Sequence, residues 1–329
     1  MDETTVIVAE PTPDGAACAA LATRACSAPG RTFFLPSTEL LGFFDSSTQR
    51  ELPRLYSLVI CGLGLVHTSW DGRLLRPYLV QALRDFALPT RWFSNREWDP
   101  DDRVAVQNII GEDHLVVDPS APSSAQLLRG HYSDADPDYA DTLVRLAGSG
   151  EDSSPEWISQ WRRIISSLKD DPARLSQAAQ PLIDAEPDEV PADLLNRAER
   201  IEQGNRELAS DNATDPVPMR DYTLTRIDIP PDRHAFWREI SACARAARGA
   251  KFSLCRLLQR PVLVLSRGED IRKDLRHWIR YVTDVVPAAT AVEPRPDAVP
   301  LFVEGLTDDP GLADDVVRAL KDGSHLLDS

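Results

Sequence analysis

Short apolar runs alternate with longer amphipathic stretches over roughly the first half of the chain. Val6-Ile7-Val8 and Leu58-Val59-Ile60 are continuous apolar runs rather than alternating ones, the pattern of strands buried on both faces. The same reading predicts strands over 5–9, 32–35, 57–62, 89–93 and 115–117. Helices are predicted between them, over 15–26, 73–86, 123–131 and 138–147, the third opened by the cap-forming Ser123-Ser124. Strand alternating with helix predicts an α/β fold, a parallel sheet with helices on both faces.

From 153 to 210 the period becomes helical. Trp157, Ile158, Trp161, Ile164, Ile165 and Leu168 recur at i, i+3, i+4 spacing, a stripe read as bundle packing rather than as a partner groove. The polar stretch Ala209-Ser210-Asp211-Asn212-Ala213-Thr214-Asp215-Pro216 predicts a linker. A second αβ unit follows, with strand 222–229, helix 234–248, strand 261–265, helix 270–282 and a terminal helix over 306–327. The expected organisation is therefore a parallel-sheet domain over 1–150, a helical connector and linker over 151–215, and a smaller α/β domain over 216–329.

Composition narrows the picture in three ways. A chain of 329 residues suits two domains, each able to bury a core. No apolar run approaches the ~18–20 residues a membrane helix requires, and no basic-then-apolar leader opens the chain, so a cytoplasmic protein without membrane contact is expected. Cys18, Cys26, Cys61, Cys243 and Cys255 are an odd number without CxxC pairing, and read as small buried hydrophobes rather than disulfides or zinc ligands. The six histidines, at 67, 114, 131, 234, 277 and 325, show no ligand spacing and read as surface or capping residues.

Charge adds an asymmetry. The net charge is −16, yet Arg233–Arg280 carries 12 Lys/Arg against 4 Asp/Glu, a local surplus of eight that leaves the rest at −24. An acidic body with one basic segment is compatible with a polyanion or an acidic partner. Arg267, Arg272, Lys273, Arg276 and Arg280 read as one basic helix face, either solvated or phosphate-binding. Arginines number 32 of the 36 basic residues, a usage compatible with a high-GC or salt-adapted source, in which case the acidity concerns solvation alone.

Three stretches carry candidate chemistry. After the first strand comes Glu10-Pro11-Thr12-Pro13-Asp14-Gly15, leading into the small-residue run Ala16-Ala17-Cys18-Ala19-Ala20. Two carboxylates four residues apart, Glu10 and Asp14, could hold one weak cation, or Asp14 could cap the helix it precedes. The second stretch is Ser57-Leu58-Val59-Ile60-Cys61-Gly62-Leu63-Gly64-Leu65, and the third is Arg91-Trp92-Phe93-Ser94-Asn95-Arg96-Glu97-Trp98.

Together these resemble, in order and spacing, the three N-terminal motifs of the DHH phosphoesterase superfamily, which includes RecJ-type nucleases, cyclic-dinucleotide phosphodiesterases and inorganic pyrophosphatases. The first motif of that family reads His-x-Asp-x-Asp-Gly; here Glu10 and Thr12 replace the first two ligands, while Asp14 and Gly15 match. Gly62 stands where the second motif has its Asp, and Ser94-Asn95-Arg96 stand where the family has Asp-His-His. A further family Asp aligns loosely with Asp152. A hydroxyl, an amide and a guanidinium cannot replace a carboxylate and imidazoles around a divalent ion.

The C-terminal third resembles the family's DHHA1 substrate domain. Pro261–Arg267 matches a strand that ends in a substrate-contacting Ser/Arg pair, here Ser266 and Arg267, but Asp284-Val285-Val286-Pro287-Ala288-Ala289 replaces the Gly-Gly-His phosphate loop.

The resemblance implies a DHH-like domain, a helical connector and a DHHA1-like domain around an inactivated centre with no cofactor. It implies a scaffold or nucleic-acid-binding subunit in DNA replication or repair or in RNA metabolism, as the inert RecJ relative of the eukaryotic replicative helicase is. Arg96, Ser266, Arg267, Arg272, Lys273 and Arg276 would then contact nucleic acid or phosphate, single-stranded nucleic acid lying along 233–280. Two alternatives stand beside it. One is an active phosphodiesterase with a reduced manganese or magnesium site made of Glu10, Asp14 and Asp152. The other is a regulatory partner of an active DHH paralogue.

Overall fold

The computed structural model describes residues 4–26, 29–44, 56–67, 74–86, 88–132, 136–148, 155–184, 187–268, 271, 273–292 and 298–328. Two compact units divide the chain, one comprising residues up to Val66 with Leu75–Glu199, the other His67–Leu74 with Arg200–Ser329.

The first unit is built on five parallel strands in the order β2-β1-β3-β4-β5: β1 (Thr4–Ala9), β2 (Pro29–Phe34), β3 (Tyr56–Cys61), β4 (Thr90–Ser94) and β5 (Leu115–Val117). Successive side chains of a strand point to opposite faces, so β1 feeds two cores. Val6 and Val8 join Leu58, Ile60 and Trp92 on one face, whereas Ile7 and Ala9 join Val59, Cys61 and Phe93 on the other. Burial on both faces explains why these strands are continuously apolar.

Helix α1 (Pro13–Ala25) lies in the second of those cores, with Gly15 to Ala22 all buried. Small side chains let it approach the sheet and its neighbours closely. At Gly15 the requirement is absolute: a Cβ there would lie 1.9 Å from the Glu10 carbonyl oxygen. Around it pack α5 (Ser124–His131), α6 (Pro137–Ala147), α7 (Glu156–Ser167) and α9 (Gln180–Ile183). The other face is covered by α2 (Leu40–Phe43), α3 (Arg76–Phe86) and α4 (Pro100–Ile110). Helix α8 (Pro172–Ala178) packs against β2. The predicted tryptophan stripe on α7 is core: Ile158, Trp161, Ile164 and Ile165 are fully buried.

Three differences from the sequence reading have local causes. Helix α4 was not anticipated, although Asp99 caps it and Pro100 opens it, because its few apolar positions give a weak period. Helix α3 begins at Arg76 rather than 73. The connector is broken into α7, α8, α9 and α10 (Ala192–Asn212), the last of which carries Ala209 into a core of the second unit, so the stretch 209–216 opens as helix.

The second unit holds a six-stranded mixed sheet in the order β10-β11-β9-β8-β7-β6: β6 (Val217–Met219), β7 (Tyr222–Ile229), β8 (Phe252–Leu257), β9 (Val262–Arg267), β10 (Ala289–Ala291) and β11 (Ala298–Val303). Only β7 and β8 pair in parallel, joined by α11 (Trp237–Arg248); the other pairs are antiparallel. Gly249, at φ 61°, ends α11 in the left-handed conformation and lets β8 begin three residues later.

Strands β8 and β11 were not anticipated. Strand β11 holds Pro300, a residue that reads against an interior strand, and here Pro300 keeps its carbonyl in use by accepting from Val292 N at 2.8 Å. Helix α12 runs over Leu275–Val285, later than predicted, because Asp274 caps it by accepting from Arg276 N at 2.9 Å. The terminal helix α13 is confined to Leu312–Asp322 by Gly305, Pro310 and Gly311 before it and a 3-10 turn after it.

Candidate functional site at the carboxyl edge of the parallel sheet

In a parallel sheet all strands end on one edge, and the loops leaving them converge there. The three candidate stretches leave β1, β3 and β4 at that edge, and the structure brings them together. The backbone sets the frame, with Glu10 N donating to Cys61 O at 3.2 Å and Gly62 N to Phe93 O at 2.9 Å. Trp92 donates from Nε1 to Leu63 O at 2.9 Å and stacks edge-on against Trp98, which fixes the loop after β3 from below.

Arg96 and Glu10 form an ion pair across this edge, each about one-fifth exposed. The guanidinium also donates from Nη1 to Ser37 Oγ at 3.2 Å, and the same hydroxyl accepts from Gly64 N at 3.1 Å. Gly64 makes room for the arginine, since a Cβ there would stand 3.3 Å from Arg96 Cδ. Ser94 is fully buried and its hydroxyl accepts from Arg96 N at 3.2 Å, shaping the turn that aims Arg96 inward.

Asp14 is not the cap of its own helix. Thr12 fills that role, its Oγ1 accepting from Gly15 N at 3.1 Å. The Asp14 carboxylate crosses to the start of α5, where Oδ2 accepts from Ser124 N at 3.0 Å and Oδ1 from Ala125 N at 2.9 Å. Ser124 in turn donates to Asn95 Oδ1 at 3.0 Å and accepts from Asn95 N at 3.2 Å. Burial pushes the Asp14 carboxyl above 3.8, with the two α5 amides pulling the other way and the Glu10 charge adding to the rise. The Cys18 thiol, one turn along α1, is pushed well up by burial and by its contact with Cys61.

Gly62 adopts φ 74°, and a Cβ there would lie 3.6 Å from Glu10 Cβ and 3.8 Å from Asp14 Oδ2. Glu10, Thr12, Asp14, Gly62, Ser94, Asn95 and Arg96 thus belong to one connected network. Asp152 lies outside the described residues. Ser37, Gly64 and Ser124 were missed from sequence; strand ends were the available signal, because Ser37 follows β2 and Ser124 opens the helix after β5.

The second unit places its candidates differently. Ser266 is buried, and its hydroxyl lies 2.6 Å from that of Ser241 and 3.0 Å from that of Ser253, with Arg245 Nη1 donating to all three serines. Arg267 donates to the carbonyl of Ile271. Arg276 is held by Asp274 through Nε and Nη2 at 2.7–3.1 Å. Lys273 is half-buried, just before α12, and Arg272 lies outside the described residues. Arg276 and Arg280 share an exposed face of α12, while Arg267 belongs to β9, so the predicted single basic helix face does not form.

No protein-family model and no curated protein matches this sequence. Solved structures do. A DHH-domain member of the S1p family of ribosomal proteins superposes with a TM-score of 0.61 at 11% identity, over 97% of this chain and 87% of that one. RecJ from Thermus thermophilus in complex with manganese gives 0.60 at 10% identity, over 99% of this chain and 52% of the longer RecJ. A manganese-bound exonuclease RecJ gives 0.56 at 11%, over 97% and 90%. The fold is DHH/RecJ-like. At these identities the likeness concerns the fold and leaves the chemistry to the residues.

A pair of divalent ions needs several anionic or imidazole donors turned toward one point. In this DHH/RecJ-like chain Glu10 is paired with a guanidinium, and both Asp14 oxygens accept from backbone amides. Among the described residues no group of three or more His, Cys, Asp or Glu side chains is placed to hold a metal ion. Among the described residues the donor set does not fit a divalent pair.

Proposed function

We propose that this chain is a catalytically silent DHH/RecJ-like protein of the cytoplasm that works as a scaffold or nucleic-acid-binding subunit in DNA replication or repair or in RNA metabolism. The Glu10–Arg96 ion pair carries this reading. A guanidinium delocalises one positive charge over a planar fork and offers donors where a metal offers empty coordination sites, so it neutralises the carboxylate without activating water. Asp14 supports the reading from the other side, since its oxygens are used in capping α5.

The binding partner follows from charge. Arg260, Arg276 and Arg280 are exposed within the basic segment 233–280, which lies in a chain that is otherwise strongly acidic. Such a segment favours the phosphate backbone of a single strand or an acidic protein surface. That one structural neighbour is a ribosomal-protein family member and another is an exonuclease RecJ agrees with a setting in nucleic-acid metabolism.

The test is anisotropy of labelled single-stranded DNA and RNA over a salt series, with cleavage of the same strands followed in manganese. The proposal expects binding that weakens steeply with salt, weakened further by Arg280→Gln, and intact strands throughout. Manganese-dependent cleavage abolished by Asp14→Asn would replace it with a reduced-metal phosphodiesterase. Absence of binding to either strand would leave the protein-scaffold form, and co-purification with an active DHH paralogue would make this chain its regulatory partner.

A further inference from the structure

The opposite, amino-terminal edge of the parallel sheet holds a second polar cluster, separate from the centre described above. A pocket of about 280 Å³ opens there among the starts of β1, β3 and β4 and the carboxyl ends of α1 and α5. Strand register builds its floor: Thr5 pairs with Ser57, Val59 pairs with Arg91, and the pleat sends Thr5, Ser57 and Arg91 to one face. The two hydroxyls lie 3.1 Å apart. Arg91 donates from Nη1 to Tyr132 OH at 3.1 Å, and among the described residues no carboxylate is paired with it. A half-buried guanidinium with no counter-charge among the described residues, in a chain of net charge −16, is a cation facing a cavity.

We infer that this pocket binds a small carboxylate with an apolar body, the carboxylate on Arg91 and the body against Val59, Pro89 and Ala25. Two observations choose that class over a phosphate. Arg91 is the one permanent cation in the lining, with the His114 imidazole beside it, and a single permanent charge matches a monoanion. The helices α1 and α5 both direct their carbonyl ends to this side, and those partial negative charges oppose a second negative charge on the ligand. The Thr5 and Ser57 hydroxyls and Tyr132 OH supply neutral donors, while Val59, Pro89 and Ala25 give a wall suited to hydrocarbon. The pocket volume suits a ligand of benzoate size rather than a nucleotide.

Benzoate is the probe, titrated into the full-length protein, with benzyl alcohol and inorganic phosphate as matched controls. Benzoate is expected to bind saturably, benzyl alcohol about tenfold or more weakly, and phosphate neither to bind nor to compete. Arg91→Gln should weaken benzoate about tenfold, while Arg96→Gln at the other edge leaves it unchanged. Cys26 lines the same pocket and is half-buried, so benzoate should slow its alkylation by iodoacetamide in the unaltered protein, read by mass spectrometry. That second readout stands if Arg91→Gln does not fold. Unsaturable benzoate binding, unprotected Cys26, equal affinity in folded Arg91→Gln, or phosphate binding as tight as benzoate would each overturn the inference.

Discussion

Strand β4 carries one arginine near its start and another just past its end, and the two edges treat them in opposite ways. At the carboxyl edge Arg96 meets Glu10 and the Ser37 hydroxyl, so the cation is matched within the site. At the amino edge Arg91 meets a tyrosine hydroxyl and lies beside the Thr5–Ser57 pair, and its charge is left for something else. The side chain is the same and lies five positions away. What differs is whether a carboxylate among the described residues stands within reach, so an arginine closes one edge and leaves the other receptive.

The most damaging way to break this comparison is to remove the carboxylate that organises the closed edge. Asp14→Ala leaves the buried Ser124 and Ala125 amides without their acceptor and should cost about 2–4 kcal/mol of stability, read from chemical denaturation. A loss under ~1 kcal/mol would mean that Ser123, the N-cap whose hydroxyl accepts from Gln126 N at 3.2 Å, holds the start of α5 without help from Asp14. Next comes the pair. Arg96→Met alone and Glu10→Gln alone should each destabilise by about 1–3 kcal/mol, and the double variant should cost less than their sum. Additive costs would show that the two charges are not coupled.

Arg91→Gln should be the mildest of the substitutions, within about 1 kcal/mol, because only a bond to a neutral hydroxyl and a 5.8 Å contact with the Tyr132 ring are lost. A loss as large as that of Arg96→Met would erase the contrast between the edges. The finest test is pH. Burial raises the Asp14 carboxyl above 3.8, so the folded protein keeps that proton to higher pH than the unfolded chain does. Its favourable contribution is complete below about pH 4 and is lost as pH rises through the folded value. The stability advantage of the unaltered protein over Asp14→Asn should therefore shrink across that window and stay flat above it. An advantage that grew with pH would give Asp14 the opposite shift.

How much of this was legible depended on whether local pattern and tertiary demand agreed. The five parallel strands are continuously apolar because helices cover both faces, and that demand is written directly into Val6-Ile7-Val8 and Leu58-Val59-Ile60. In the second unit the agreement fails. Pro300 sits in β11 between two neighbours, and Arg256 breaks the apolar run of β8 while pairing with Asp228 on the adjacent strand. The convergence of Glu10, Asp14, Gly62 and Arg96 was readable from strand ends. The partners they chose were not: Thr12 took the cap expected of Asp14, and Asp14 reached 110 positions along the chain to Ser124. Ser266, expected to face a substrate, is turned into the serine cluster under Arg245, a contact fixed by strand register that no local motif encodes.

The central claim is that the Arg96 guanidinium, and no metal ion, neutralises Glu10 at the carboxyl edge, and manganese tests it most directly. Isothermal titration of the purified protein, with anomalous scattering from crystals soaked in manganese, reads occupancy at the carboxyl edge without reference to activity. The account predicts no stoichiometric uptake and no anomalous peak beside Glu10 and Asp14, with the Glu10–Arg96 pair unchanged. One or two manganese ions bound there, with Arg96 displaced from Glu10, would contradict it.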